Sequence, residues 1–131
     1  EAAKAKTINQ TAPNLTGISE RWHIGHTIHE HRHYYCPHNW VGGLPTIANI
    51  HLVAGVPCGH MCELNQTYNP LKWDIFKEPY PIENGVLTIP DKPGFGVELI
   101  DDIEQRFPYE PGDYYKTNPV FEGLDLPIWW S

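Results

Sequence analysis

Short apolar runs alternate with longer amphipathic stretches over the first half of the chain. Trp22, Ile24 and Ile28 recur at helical spacing, Pro37 ends a β-favouring run, and Pro45 suits the first turn of a helix. The pattern predicts strands at residues 7–10, 34–36 and 60–64 and helices at residues 19–31 and 45–53. This alternation is typical of βα units with parallel strand pairing and therefore predicts an α/β fold.

The composition changes after residue 64, where the chain becomes rich in proline. Residues 86–99 predict a strand, a turn and a second strand. Val86, Leu87 and Ile89 favour the first strand. Prolines and glycines follow at Pro90, Pro93, Gly94 and Gly96. Because proline cannot donate to a ladder and glycine tolerates positive φ, the turn is expected between residues 90 and 96.

Charge and hydropathy exclude two classes of partner. The net charge is −7 and the 9 Lys and Arg residues are scattered, whereas nucleic acid binding needs a clustered basic face. The longest apolar run, residues 52–56, is far too short to span a bilayer. Three cysteines without a secretory signal suit reduced thiols, so we expect a soluble, cytoplasmic protein. An Ala- and Lys-rich run opening on Glu1 predicts that an N-terminal portion is missing.

Several strings resemble one known family. Residues 86–98, VLTIPDKPGFGVE, are similar to a signature near the C-terminus of mandelate-racemase-like members of the enolase superfamily. Residues 10–20, 37–39 and 59–63 resemble the sixth strand with its following helix start, the seventh strand and the eighth strand of that family. The resemblance implies the C-terminal part of a modified (β/α)7β TIM-like barrel. Residues 1–64 would supply its last strand–helix units, and residues 65–131 would form a C-terminal segment whose hairpin returns to a capping domain.

The resemblance also implies a reaction, magnesium-assisted removal of a proton α to a carboxylate. His38 matches the position of a general base, and histidine as a residue type has a pKa suited to that task. Glu63 matches an acid that contacts the substrate or donates a proton. Both follow predicted strands, at the end where barrel active sites are built. From the residues alone, a structural role stays open for each of them.

Four more residues are candidates for substrate binding. Asn39 and Trp40 belong to the glycine-rich loop after His38, and Gln10 and Asn14 flank the sixth-strand match. Many family members carry an aspartate after that strand, which orients the histidine. This chain has none there, so Gln10 or Asn14 is expected to hold the imidazole through a neutral hydrogen bond.

The implied substrate is a small carboxylate, an acid sugar. Dehydration is favoured over racemisation or cycloisomerisation, in a complete enzyme that forms a homo-oligomer. The family's magnesium ligands are acids on earlier strands, so none is assigned here and the isolated chain is expected to be inactive. The alternative is a non-catalytic binding or assembly module derived from the same fold. A zinc site among His23, His26 and His29 lacks the paired spacing of known sites, and a solvated histidine-rich helix face is the preferred interpretation.

Overall fold

The computed structural model describes residues 7–10 by their backbone, and residues 17–109 and 111 in full. Thr7–Gln10 (β1) pairs in parallel with Tyr34–Pro37 (β2), and the helix Gly17–Glu30 (α1) connects the two strands. The helix Gly43–Gly55 (α2) follows β2, after which Gly59 forms a parallel bridge with Tyr35. The predicted alternation of parallel strands and helices is therefore confirmed for β1, α1, β2 and α2.

The third predicted strand, residues 60–64, is wrong. Pairing is confined to Gly59, where Tyr35 donates its N–H to the Cys58 carbonyl at 2.9 Å and accepts from the His60 N–H at 3.1 Å. Pro37, the residue that would donate next along β2, has no N–H. The ladder therefore stops after one bridge, and the chain continues to Glu63 as irregular backbone.

The core of the parallel region lies between the sheet and its two helices. It consists of the buried side chains of Ile28, Tyr35, Leu52, Val56 and Cys58, against which Ile24 and Val53 pack. Such packing supplies most of the stability of an amphipathic helix.

The predicted buried face of α1 needs a correction. Its buried positions are Arg21, Gly25 and Ile28, whereas Trp22 is partly exposed. Gly25 faces Val56 so closely that an added Cβ would lie 2.6 Å from a valine methyl group. The two helices therefore approach closely at Gly25, and the half-exposed indole of Trp22 packs against Gly55 at the end of α2.

Two sets of polar contacts stabilise the segment after residue 64. The Asn69 side chain accepts a hydrogen bond from the Leu71 N–H at 2.9 Å and caps the short helix Pro70–Trp73 (α3). Tyr80 is buried, and its hydroxyl donates to the Phe95 carbonyl while lying 2.8 Å from Nε2 of His51 on α2. The glycine-rich string around Phe95 is thereby tied to the second helix.

The predicted hairpin is shifted along the chain. Ile82–Glu83 (β3) pairs antiparallel with Val86–Leu87 (β4), so the first predicted strand pairs with the segment before it. Asn84 and Gly85 both have positive φ, 51° and 78°, which suits a two-residue hairpin turn. Gly94 and Gly96 also have positive φ, as expected, but residues 97–99 form only a single bridge, between Leu99 and Phe76.

The described residues fall into two compact units, one ending at Asp101 and one beginning at Asp102. The second contains the short helix Ile103–Arg106 (α4). The predicted division after residue 64 stays a prediction. No helix in the described ranges is long and apolar enough to cross a membrane.

Candidate active site at the ends of the parallel strands

His38 and Glu63 meet just beyond the parallel pairing. His38 directly follows β2, and Glu63 lies four residues after the bridged Gly59. Nδ1 of His38 is 3.1 Å from Oε2 of Glu63, and both side chains are about half-exposed, at 45% and 38%. An ionised carboxylate only accepts hydrogen bonds, so the imidazole donates from Nδ1. Nε2 is then the nitrogen with a free lone pair, which is the arrangement that a general base requires.

The buried side-chain amide of Asn39 links the two backbone segments that carry His38 and Glu63. Asn39 is 2% exposed, and its Nδ2 donates to the backbone carbonyl of Glu63 at 2.7 Å. Its Oδ1 accepts from the Thr46 hydroxyl at 3.2 Å and from Nδ2 of Asn49 at 3.1 Å. Nδ2 of Asn49 also lies 3.3 Å from the His38 carbonyl. The backbone at both candidate catalytic residues is therefore held by side chains.

Arg21 extends this set of hydrogen bonds into α1. Its side chain is fully buried, and Nη1 donates to Oδ1 of Asn49 at 3.2 Å. Burial lowers the pKa of Arg21, opposed by the neighbouring Tyr35 phenol, and burial also raises the pKa of Tyr35. Arg21, Thr46 and Asn49 were not predicted from the sequence as residues of the site. The available signal was a charged or polar residue at positions that the helical period assigns to the apolar face.

The predicted substrate-binding residues separate into three groups. Trp40 is 65% exposed and has its indole available at the surface. Asn39 is buried, with its amide directed to Glu63, Thr46 and Asn49 rather than outward. Gln10 lies opposite Pro37 in the strand register, but its side chain and the whole of Asn14 lie outside the described residues.

The carboxylate beside the imidazole comes from the irregular segment that follows the bridged Gly59. The sequence led us to expect a neutral partner for His38 near the sixth-strand match, and that prediction stays untested. Glu63 provides a charged partner from the other side of β2. The sequence marked both residues as strand-end candidates but did not pair them.

Cys62 lies next to this pair in an environment that suppresses its ionisation. Burial raises the pKa of its thiol to about 12, with smaller contributions from Cys36 and Glu63. Asn39 Nδ2 lies 3.8 Å from its sulfur. Because the thiolate is the nucleophilic form, Cys62 is unsuited to nucleophilic catalysis at neutral pH.

Within the described ranges, no three His, Cys, Asp or Glu side chains converge as metal ligands would. Two histidines of the region singled out by sequence contact their own helix instead: His26 Nδ1 lies 3.0 Å from the Trp22 carbonyl, and His31 Nδ1 lies 2.8 Å from that of Thr27. A magnesium ion needs several converging oxygen ligands, so the described residues do not by themselves fit one.

A separate cleft of about 350 Å³ lies beside the glycine-rich string. Lys92 pairs there with Glu78 at 2.7 Å, and Lys77 pairs with Asp101 at 3.0 Å. Because these lysines are already matched by carboxylates, the cleft has no net positive charge for an anion.

Curated proteins resemble this chain, two of them over most of its length. It is 34% identical over 105 residues to the arabinonate dehydratase of Saccharolobus solfataricus, a match covering 79% of this chain and 28% of the relative. It is 30% identical over 118 residues to the D-galactarolactone cycloisomerase of Agrobacterium fabrum, covering 82% of this chain and 31% of the relative. The chain thus spans under a third of each relative's length.

Solved structures also match this chain. A mandelate racemase/muconate lactonizing enzyme from Jannaschia sp. CCS1 matches with a TM-score of 0.70 and 28% identity, over 83% of this chain and 28% of that one. A Burkholderia xenovorans structure, described as an L-alanine-DL-glutamate epimerase and bound to magnesium and fumarate, matches with a TM-score of 0.63 and 25% identity, over 74% of this chain and 24% of that one. The enolase C-terminal domain-like family model matches residues 1–103. The chain belongs to this family, as a C-terminal portion of an enolase superfamily protein.

Proposed function

We propose that the complete protein containing this chain removes the proton α to the carboxylate of an acid sugar, with His38 as the general base. The observation that carries the proposal is the 3.1 Å contact between Nδ1 of His38 and Oε2 of Glu63, at the ends of neighbouring parallel chain segments. The names of the two curated relatives, a dehydratase and a cycloisomerase acting on sugar acids or their lactones, support the substrate class.

The chemistry of the pair follows from its hydrogen bond. Glu63 accepts from Nδ1, which fixes the tautomer and leaves the Nε2 lone pair to take the α-proton. The resulting imidazolium is stabilised by the adjacent carboxylate, as in other histidine–carboxylate pairs. The enolate then expels its β-hydroxyl group, which takes the proton held on the His38 imidazolium and leaves as water. The base is thereby restored, and the enol that remains tautomerises to the keto acid, which completes a dehydration. Racemisation would instead return a proton to the α-carbon, and we favour dehydration because the relative with the higher identity is a dehydratase.

Magnesium enters this proposal only as a component held elsewhere in the complete protein. One structural neighbour binds magnesium, but the described residues of this chain hold no cluster of three or more His, Cys, Asp or Glu side chains. The roles given to His38 and Glu63 do not depend on where the ion lies.

Trp40 is the best candidate in this chain for a direct contact with substrate. Its indole is exposed, and it follows the base by only two positions. An exposed aromatic face at that point can pack against the apolar C–H face of a sugar while the indole N–H donates a hydrogen bond. Asn39, by contrast, is proposed to hold the backbone, because its amide groups are engaged within the protein.

The test is the exchange of the α-proton with solvent deuterium, followed by ¹H NMR with magnesium, arabinonate and related sugar acids. His38→Asn should slow exchange by about 10²–10⁴-fold while the melting temperature barely moves. His29→Asn is the matched control, because His29 is exposed on α1 and should leave exchange unchanged. Full exchange in His38→Asn would exclude this residue as the base. No exchange by the wild-type protein on any sugar acid would favour the non-catalytic module.

A further inference from the structure

The hydrogen bonds among the buried side chains of Arg21, Asn49 and Asn39 are compatible with only one orientation of each amide. Arg21 carries only donors, so Oδ1 of Asn49 must face it and Nδ2 of Asn49 must point the other way. Nδ2 then donates towards the His38 carbonyl and to Oδ1 of Asn39. Asn39 is oriented in turn, and its Nδ2 donates to the Glu63 carbonyl.

Thr46 supports the same direction. Its hydroxyl donates to Oδ1 of Asn39 at 3.2 Å, which matches the orientation that Asn49 imposes. If either amide turned over, two carbonyl-type oxygens would face each other. Donor-only Arg21 at one end and the acceptor-only carbonyls of His38 and Glu63 at the other thus require the same orientation of both amides, which link α1 to the backbone at both candidate catalytic residues. We call Arg21, Asn49 and Asn39 the buried relay.

Arg21 is costly to keep in this position. The side chain is fully buried, and its Nε and Nη2 make no hydrogen bond of good geometry within the described residues. The neighbouring Tyr35 phenol interacts with the guanidinium but only partly offsets the burial that lowers the pKa of Arg21. A buried charge that is incompletely hydrogen-bonded is a poor source of stability, and apolar replacements of buried ionic groups are often neutral. Stability alone therefore does not account for an arginine at this helix position.

We propose that Arg21 is a positioning residue, which acts through the buried relay to hold the backbones of His38 and Glu63 so that their side chains stay paired. This inference rests on the proposed function for its catalytic meaning. The pairing of His38 with Glu63 is a structural consequence that can be measured without turnover. Misplacement of a catalytic group by about 1 Å can cost about 100-fold in rate, which sets the scale of the expected effect.

The experiment compares Arg21→Met with Arg21→Lys in the complete protein. Met keeps the bulk and removes the donors, whereas Lys keeps a donor and should recover part of the loss. We expect Arg21→Met to lower kcat by about tenfold or more with KM changed by less than about threefold. Arg32→Met is the matched control, because Arg32 is exposed and lies outside the relay. It should change neither value.

A second readout follows the imidazole of His38 by ¹⁵N NMR of histidine-labelled protein, with His38→Asn identifying the signal. Wild type should show the Nδ1–H form, and Arg21→Met should shift the signal towards a mixture of tautomers. If wild type shows no turnover, the proposed function fails while this readout still tests the relay. An unchanged His38 signal together with unchanged kcat in Arg21→Met would overturn the inference.

A second pair of variants covers the case in which Arg21→Met does not fold. Thr46→Val removes one donor to Asn39 with almost no change of shape, and Thr46→Ser keeps that donor. Thr46→Val should shift the His38 signal and lower kcat, and Thr46→Ser should restore both. Thr27→Val is the control, since the Thr27 hydroxyl donates only to the His23 carbonyl of its own helix. Equal His38 signals and equal kcat in Thr46→Val and Thr46→Ser would contradict the relay.

Discussion

Gly59 is the residue at which a single added methyl group should damage both the fold and the site. A Cβ built there lies 2.7 Å from the carbonyl carbon of Val53 and closer still to its oxygen. Carbon atoms pack at about 3.5–4.0 Å, so the backbone must move by about 1 Å. Backbone atoms of α2 form the obstacle, and they cannot turn aside as a flexible side chain can. The movement must therefore be taken up around Gly59 itself.

That movement breaks the bridge to β2. Tyr35 bonds to Cys58 at 2.9 Å and to His60 at 3.1 Å, one residue on either side of Gly59. Overpacking and two weakened hydrogen bonds together should cost about 2–4 kcal/mol in Gly59→Ala. Because Glu63 lies only four residues after the bridged Gly59, its contact with His38 should lengthen as well.

The assay is thermal unfolding of the complete protein together with α-proton exchange. Gly42→Ala is the control, because the nearest atom to a Cβ there is the Leu71 carbonyl oxygen at an ordinary 3.5 Å. It should cost no more than about 1 kcal/mol, from its position at the N-cap of α2. A Gly59→Ala protein as stable and as active as Gly42→Ala would refute the reasoning.

Three further measurements test local features of the structure. Cys62, whose thiol pKa burial raises to about 12, should react with a disulfide reagent at pH 8 more slowly than an ordinary thiol by about 30-fold or more, because its much lower thiolate fraction is only partly offset by the greater nucleophilicity of a more basic thiolate; reaction at the rate seen in urea would contradict this. Asn69→Ala removes the acceptor for the Leu71 N–H and should cost about 1 kcal/mol in thermal unfolding, whereas no loss would show that the cap contributes nothing. Gly85→Ala should cost about 1–2 kcal/mol, since φ is +78° and no atom obstructs the new Cβ; an unchanged melting temperature would argue against this turn.

Local sequence patterns predicted the elements β1, α1, β2 and α2 of the parallel region correctly. Pro37 and Pro45 marked the end of β2 and the start of α2 closely, because proline acts through its own ring and its missing N–H. The same missing N–H explains why the strand predicted at residues 60–64 does not form. These residues have a strand-like pattern, but a strand also needs a partner that can donate, and Pro37 cannot. That requirement becomes visible only when the register is known.

The hairpin error has a different cause. Asn84-Gly85 is the strongest short-range signal for a two-residue turn, and it stood in the sequence beside the more conspicuous prolines. The buried relay could not be predicted in this way. Arg21 and Asn49 are 28 residues apart, and only the packing of α1 on α2 shows that a donor faces an acceptor. Likewise, His38 and Glu63 could each be marked as strand-end residues, but their contact depends on three-dimensional proximity.

The central claim is that His38 and Glu63 act as one unit in proton abstraction. The most direct measurement is the rate of α-deuterium exchange in heavy water for His38→Asn, Glu63→Gln and the double variant of the complete protein. If the carboxylate works through the imidazole, Glu63→Gln should slow exchange on its own, and the double variant should be no slower than His38→Asn alone, since residues that act as a unit are strongly non-additive. Losses that multiply in the double variant would contradict the account, because they would show that the two side chains contribute independently.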